Sequence, residues 1–186
     1  MHNHRILILN CTQKSDPDEG AFLAELMESI ELRYPKRVRH QVEKVSNSQE
    51  LRENLVSDWP TIIHIASHGK RLWRPKTGRT ETCIVVGGWP LYASDVSKMN
   101  GKITAELVFA NACSNSYLDM AKAMIGKGAR FFCAPKIDVY WADAVVYTAV
   151  FYHRLIWKDT SVERAGRFAK THTRLGYAYP DWWSMR

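Results

Sequence analysis

Short apolar runs, each long enough for one buried strand, recur along this chain and alternate with segments of helical periodicity. Such runs lie at 5–10, 61–67, 105–110 and 129–134. Strands that are apolar on both faces must be covered on both faces, as in parallel sheets whose strands are joined by crossover helices. The pattern therefore predicts an α/β fold with a mostly parallel central sheet and helices on both of its faces.

The size and composition of the chain suit one domain with its own core. It has 186 residues, of which 46% are hydrophobic and 24% charged, as in ordinary globular proteins. A chain of this length can bury enough apolar surface without disulfides or metals, so we expect a single domain over 1–186. The 26 Lys and Arg residues exceed the 19 Asp and Glu residues, and the net charge of +7 is compatible with an acidic partner.

The cysteines and the apolar runs bear on the cellular compartment. Cys11, Cys83, Cys113 and Cys133 include no C-x-x-C pair, so their spacing predicts neither a zinc ribbon nor a thioredoxin-like motif. Dispersed cysteines of this kind are typical of reduced thiols in the cytosol. The first apolar run is too short for a secretory signal, and no run has the length of a membrane span. The sequence predicts a soluble cytoplasmic protein that does not bind membranes.

Two residues with the chemistry of a nucleophile and a base follow two of the predicted strands. His68 comes directly after the strand at 61–67, and Cys113 comes shortly after the strand at 105–110. In open parallel sheets, binding sites form beyond the carboxyl ends of the strands. If these two strands are near neighbours, the imidazole and the thiol meet at one edge of the sheet.

A thiol and an imidazole at such an edge can act together in nucleophilic catalysis. The reactive species is the thiolate, which a nearby imidazolium or a following helix N-terminus favours, and a helix is predicted from about residue 116. Gly69 has no Cβ, so its backbone N–H could approach a substrate carbonyl and form an oxyanion hole with the N–H of Cys113. The structural alternative is that Cys113 packs in the core and that His-Gly is only a turn.

The segments around these two residues resemble those of a known family. The apolar strand Ile62-Ile-His-Ile-Ala-Ser-His-Gly69 resembles the histidine motif of the CHAT family of caspase-like cysteine peptidases. The segment Leu107-Val-Phe-Ala-Asn-Ala-Cys113-Ser114 resembles the cysteine motif of that family. The run at 127–135, followed by Asp138, resembles its next strand, and the whole similarity covers roughly residues 60 to 175.

The resemblance implies a caspase-like three-layer α/β/α sandwich and a cysteine endopeptidase that cleaves a protein or peptide substrate. It assigns Cys113 as the nucleophile and His68 as the general acid/base, with no metal or organic cofactor. The TPR array that often accompanies the family does not precede the domain here, so we expect a separate regulatory protein partner. Resemblance to caspases also implies a homodimer. The sequence names no third residue for a catalytic triad.

Asp138 and His64 each have two interpretations. By resemblance, Asp138 lines the pocket for the residue before the scissile bond and favours a basic side chain there. Alternatively, it caps a helix that begins near Val139, and this interpretation is slightly favoured because aspartate is a preferred N-cap residue. His64 lies on the same strand face as His68, and two such histidines could bind a metal. Because no further ligands can be named, a packed His64 is the favoured interpretation.

The segment 70–80 is strongly basic and is predicted to be a loop. It contains Lys70, Arg71, Arg74, Lys76 and Arg79, with Trp73 among them. The favoured interpretation is a solvated surface, and the alternatives are a grip on an acidic peptide or on nucleic acid. For the chain as a whole, the alternative to an enzyme is a non-catalytic caspase-like module, a pseudoprotease that binds a partner in a regulatory or defence complex.

Overall fold

A computed structural model describes residues 3–13, 15–173 and 183–185. The strands are β1 (His4–Asn10), β2 (Val38–Lys44), β3 (Ile62–Ala66), β4 (His68–Arg74), β5 (Arg79–Val86), β6 (Trp89–Tyr92), β7 (Leu107–Asn111), β8 (Phe131–Pro135) and β9 (Trp183–Met185). The helices are α1 (Glu19–Arg33), α2 (Ser48–Leu55), α3 (Ala93–Lys98), α4 (Leu118–Gly126), α5 (Trp141–Tyr152), which a π-helical segment (His153–Trp157) extends, and α6 (Val162–His172). None of the helices in this part of the chain is long and apolar enough to cross a bilayer.

The central sheet has the order β2-β1-β3-β7-β8-β9. Its first five strands pair in parallel, and β9 joins β8 antiparallel at the edge. β3 and β7 are direct neighbours, with Ala66 opposite Asn111 at their carboxyl ends. This adjacency is what the sequence argument required, because it brings the segments after the two strands to the same edge.

Each face of the sheet has its own hydrophobic core, because successive side chains of a strand point to opposite faces. In β3, Ile63 and Ile65 pack in one core, with residues of α2, α3 and α4. Ile62 and the neighbouring Phe109 of β7 pack in the other core, with residues of α1, α5 and α6. The arrangement confirms the predicted α/β/α sandwich with a mostly parallel sheet.

The basic segment 70–80 is not a loop, and this prediction was wrong. It forms most of β4 and the start of β5, which pair antiparallel and continue into β6 as a second, three-stranded sheet. Only the few residues between Arg74 and Arg79 turn, with Gly78 at a φ of 63° that favours glycine. The basic side chains concealed the strand pattern because a ribbon with a solvated face can carry charges at many positions.

Glu81 of β5 attaches this ribbon to α3. The carboxylate is buried and accepts a hydrogen bond of 2.5 Å from the Ser94 hydroxyl, and the Arg74 guanidinium lies 3.6 Å from it. Arg74 also contacts Asp95 at 2.5 Å. Burial by itself raises the pKa of Glu81, but the hydrogen bonds from Ser94 and its other donors outweigh this effect and lower the pKa to about 2. The Arg74 guanidinium is therefore paired within the protein and is not available to bind an external ligand.

Candidate active site

Cys113 lies in a tight turn that follows β7. The next residue, Ser114, has a φ of 56°, in the left-handed region that residues other than glycine seldom adopt. The turn is held by the end of β8 and the segment after it, since Ser116 N–H donates to Pro135 O at 2.8 Å and Ser114 N–H donates to Ile137 O at 3.1 Å. α4 begins only at Leu118, so a four-residue turn separates Cys113 from the first residue of the helix. The backbone around Cys113 is thus positioned by strands on both sides.

His68 is the first residue of β4, immediately beyond the carboxyl end of β3. Ser67 connects the two strands, and its hydroxyl donates to Val85 O at 2.6 Å. The imidazole is half-exposed and its Nε2 lies 3.1 Å from Asp16 Oδ2. His68 and Cys113 line the same cleft, so the structure brings the two predicted residues together.

Asp16 is a site residue that the sequence analysis missed. It lies in the loop between β1 and α1, and its Oδ2 also accepts a hydrogen bond of 2.7 Å from Gln13 N–H. Burial opposes ionisation of Asp16, but the Gln13 N–H and the contact with His68 outweigh it and lower the pKa of the carboxyl. The signal in the sequence was the position of Asp16, shortly after the first predicted strand, at the carboxyl edge where sites form. Asp18 and Glu19 share that signal, and only the loop conformation selects Asp16.

Gly69 packs directly against the Cys113 turn. A Cβ built at this position would lie 2.0 Å from Cys113 O and 2.2 Å from Asn115 Nδ2. The missing side chain therefore allows β4 to approach the turn so closely that His68 and Cys113 share a cleft. Among the described residues, no backbone carbonyl accepts a hydrogen bond from Cys113 N–H. The oxyanion hole formed by Gly69 and Cys113 stays a prediction.

The cleft between these residues has a volume of about 140 Å³. At its base lie two buried polar side chains, Glu19 of α1 and Asn111 of β7. Both hydrogen bonds to Glu19 use Oε1: one joins it to His64 Nε2 at 3.3 Å, and the other is donated by Asn111 Nδ2. Asn111 Oδ1 is buried and has no donor among the described residues. The cleft is lined by Thr12, Asp16, Pro17, Glu19, Ser67, His68, Asn111, Cys113, Val139, Trp141 and Ala144.

His64 belongs to the wall behind this cleft. It is fully buried, stacks on Phe109 and forms a hydrogen bond of 3.0 Å with the Tyr152 hydroxyl through Nδ1. Both ring nitrogens thus have protein partners, which agrees with the packed interpretation. In the described part of the chain, no three His, Cys, Asp or Glu side chains are grouped to hold a metal ion.

Asp138 lies beside the Cys113 turn. The exposed carboxylate accepts a hydrogen bond of 2.8 Å from the Ser114 hydroxyl and is not among the residues that line the cleft. The N-cap interpretation of Asp138 was wrong, because α5 begins at Trp141 and its N-cap residue is Tyr140. The segment between β8 and α5 instead runs along the Cys113 turn and leaves Asp138 beside it. Its role in substrate binding stays a prediction.

Cys113 differs from the other three cysteines in its exposure. It is half-buried, whereas Cys11, Cys83 and Cys133 are buried. Burial raises the pKa of the Cys113 thiol, and the Asp138 carboxylate acts in the same direction. The pKa is raised further for Cys83, to about 11, and for Cys11, to about 12, again because of burial. In this structure Cys113 is thus a protonated, accessible thiol near neutral pH.

Replacement of Asp138 by asparagine is expected to speed alkylation of Cys113. Removal of the carboxylate removes a negative charge that disfavours the thiolate, so the pKa of Cys113 falls and more thiolate is present at pH 7.5. Because Asp138 is exposed and screened, we expect a rate increase of about two- to threefold with iodoacetamide at low salt, and less at high salt. The rate at Cys113 is measured by peptide mass spectrometry, with Asp58→Asn as the remote control. An unchanged or slower rate in Asp138→Asn would contradict this account.

Comparison with known proteins shows the fold. No protein-family model matches the chain, and no curated protein matches it in sequence. Among solved structures, gingipain R, the Arg-specific cysteine proteinase of Porphyromonas gingivalis, matches with a TM-score of 0.64 and 14% identity over 97% of this chain. Separase from Saccharomyces cerevisiae, in complex with securin, matches with a TM-score of 0.59 and 13% identity over all of it. This chain spans 45% of that gingipain chain and 12% of that separase chain. It has the caspase-like fold of these cysteine peptidases.

Proposed function

We propose that this protein is a cysteine endopeptidase of the caspase-like class, related to the CHAT family, with Cys113 as nucleophile and His68 as general acid/base. The observation that carries the proposal is the convergence of Cys113, His68 and Asp16 on one cleft at the carboxyl edge of the sheet. A nucleophile, a base and a group that orients the base are the parts that acyl transfer needs.

In the proposed mechanism, Asp16 holds Nε2 of His68 and leaves Nδ1 to exchange protons. The Cys113 thiol gives its proton to the imidazole, and the thiolate attacks the scissile carbonyl to form a tetrahedral intermediate. Backbone N–H groups of Cys113 and Gly69 stabilise the oxyanion. The C–N bond then breaks as His68 protonates the leaving amine, and a thioester remains on Cys113. Water, deprotonated by His68, hydrolyses the thioester and releases the acid. Asp16 acts on the imidazole and does not itself touch the substrate.

The base of the cleft supports a basic side chain before the scissile bond. The hydrogen bonds that the described residues make to the Glu19 carboxylate use Oε1, and Glu19 lines the cleft. A guanidinium or ammonium group in the cleft would balance the carboxylate charge and donate charge-assisted hydrogen bonds to it. Within the cleft, Glu19 thus fits the specificity role better than Asp138. The structurally similar gingipain R is an Arg-specific proteinase, which supports a preference for a basic residue here.

Glu19→Gln is expected to remove the preference for arginine before the scissile bond. Two peptides that differ only in arginine or its neutral isostere citrulline at that position are compared by kcat/KM. We expect the wild-type protein to prefer arginine by about 10²-fold, and the variant to lose most of this preference, because the carboxylate charge is gone and the amide is nearly isosteric. Glu25→Gln, an exposed change in the same helix, is the matched control.

Thermal unfolding of Glu19→Gln checks that the buried hydrogen bonds of position 19 survive the change. Equal cleavage of both peptides by the wild-type protein would contradict the basic-residue specificity. Cleavage of neither these peptides nor a diverse peptide library would contradict the peptidase proposal and favour the non-catalytic module.

We also propose that a partner protein regulates the site. The position of Cys113 supports this, since its turn is held by backbone hydrogen bonds to Pro135 and Ile137, and a partner that moves that segment would alter the site. Two of the similar structures are complexes, one of separase with securin and one of the pro- and mature domains of gingipain RgpB.

A further inference from the structure

A second concave region, which we call the basic groove, lies between the β4–β5 ribbon and the helices α3 and α4. Its volume is about 670 Å³, several times that of the cleft at Cys113. No residue lines both. The basic groove is lined by Arg71, Arg79, Thr80, Ala93, Ser94, Ser97, Lys98, Tyr117, Leu118, Asp119, Lys122 and Ala123.

The basic groove contains positive charge that the protein does not neutralise. Arg79 pairs with the buried Glu81, at 3.3 Å. Arg71, Lys98 and Lys122 are exposed, and none of the ion pairs among the described residues includes them. Three cations that converge on one concavity without acidic partners favour an anionic ligand.

The single acidic residue in the lining, Asp119, is already used by the protein. Its two carboxylate oxygens accept hydrogen bonds from Thr82 N–H at 2.8 Å and from the Thr82 hydroxyl at 2.7 Å. This contact joins α4 to β5 and stabilises the wall of the groove. These neutral donors leave the charge of Asp119 in place, but Arg71, Lys98 and Lys122 outnumber this single carboxylate, so the groove keeps a net positive charge.

The basic groove is connected to the Cys113 turn. The Arg71 guanidinium lies 4.1 Å from the centre of the Tyr117 ring, and Tyr117 is the N-cap residue of α4, at the end of the turn that begins with Cys113. Arg71 follows Gly69 by two residues in β4, so the two positions face the same side of the ribbon, toward the Cys113 turn. The basic groove is thus adjacent to the turn that carries Cys113.

We propose that the basic groove is an exosite that binds an acidic segment, rich in Asp or Glu, of the protein substrate; this inference rests on the proposed peptidase function. A peptide is favoured over nucleic acid because the cations converge on one concavity and do not form an extended track. Single-stranded nucleic acid is also bound by stacking on several aromatic side chains, and among the described residues only Tyr117 supplies an aromatic ring to the groove, with one of its faces covered by Arg71.

Binding is tested on Cys113→Ala protein, so that the result does not depend on catalysis. The probes are a fluorescein-labelled peptide with four glutamates and the same peptide with four glutamines, measured by anisotropy at low salt. We expect the glutamate peptide to bind at least about tenfold more tightly, and Lys98→Glu/Lys122→Glu to abolish that difference. Lys36→Glu/Lys158→Glu, with the same charge change at exposed positions outside the groove, should retain it.

Cleavage provides the second readout, with two arginine substrates that carry acidic or neutral flanks. We expect Lys98→Glu/Lys122→Glu to lose the preference for the acidic flank and to cleave the neutral substrate normally. Equal peptide binding by this variant and its control would overturn the exosite, as would tighter binding of a single-stranded oligonucleotide at the same salt. Glutamate-specific binding without cleavage of any substrate would instead overturn the peptidase proposal and leave the acidic-peptide site standing.

Discussion

Cys113→Ala is expected to lower kcat/KM for cleavage by at least about 10⁴-fold, with little change in stability. Thr12 and Ser67 also line the cleft, but their hydroxyls donate hydrogen bonds to Asn10 Oδ1 and Val85 O, so the thiol is the strongest nucleophile there. Cys113 is half-buried, and the replacement removes a single sulfur atom, so the fold should tolerate it. The measurement is peptide cleavage under reducing conditions with matched protein preparations.

Ser114→Ala is the matched control for that experiment. It changes the neighbouring side chain of the same turn and removes the hydrogen bond to Asp138, but it leaves the thiol in place. We expect Ser114→Ala to cleave the peptide within a few-fold of the wild-type rate. Any effect on the alkylation of Cys113 should be an increase in its rate. Cleavage by Cys113→Ala at the wild-type rate would exclude Cys113 as the nucleophile.

Gly69→Ala is expected to reduce cleavage by about 10² to 10³-fold and to lower the free energy of unfolding by about 1–3 kcal/mol. The new Cβ would lie 2.0 Å from Cys113 O, so β4 and the Cys113 turn must separate. Both the His68–Cys113 geometry and the proposed oxyanion hole depend on that approach. Cleavage kinetics and chemical denaturation measure the two effects.

Gly126→Ala distinguishes this steric effect from a general effect of replacing glycine. Gly126 is the last residue of α4, and a Cβ there would meet nothing within 4 Å. We expect unchanged cleavage and equal or slightly higher stability, because alanine loses less backbone entropy in a helix. Equal behaviour of the two variants would show that the close packing at Gly69 does not matter for the site.

The buried strands of the central sheet were predictable because a strand that is buried on both faces has apolar residues at nearly every consecutive position. β3 and β7 are buried at every position, so they appear in the sequence as apolar runs in which His64 and Asn111 are the only polar residues. The ribbon β4–β5 was missed for the opposite reason. Its charges are exposed or, like Arg74, are neutralised by Glu81 and Asp95 across the fold, and no local pattern reveals such partners.

The carboxylates of the site were also beyond sequence reasoning. Asp16, Asp18 and Glu19 are nearly consecutive, yet each has a different role: Asp16 contacts His68, Asp18 accepts from Ala21 N–H as the N-cap of α1, and Glu19 is buried at the base of the cleft. Three acidic residues of similar chemistry cannot be ranked without the loop conformation that orients them.

The sequence by itself determined that His68 and Cys113 stand just beyond the ends of buried strands, because hydrophobic runs and turn residues encode burial and chain reversal locally. Only the tertiary structure decided that these strands are neighbours, that Gly69 lets the two segments meet, and that Asp16 completes the group. These features depend on contacts between residues far apart in the chain. The free energy of forming such contacts includes the entropy of closing the loops between them, and no short segment of the sequence contains that information.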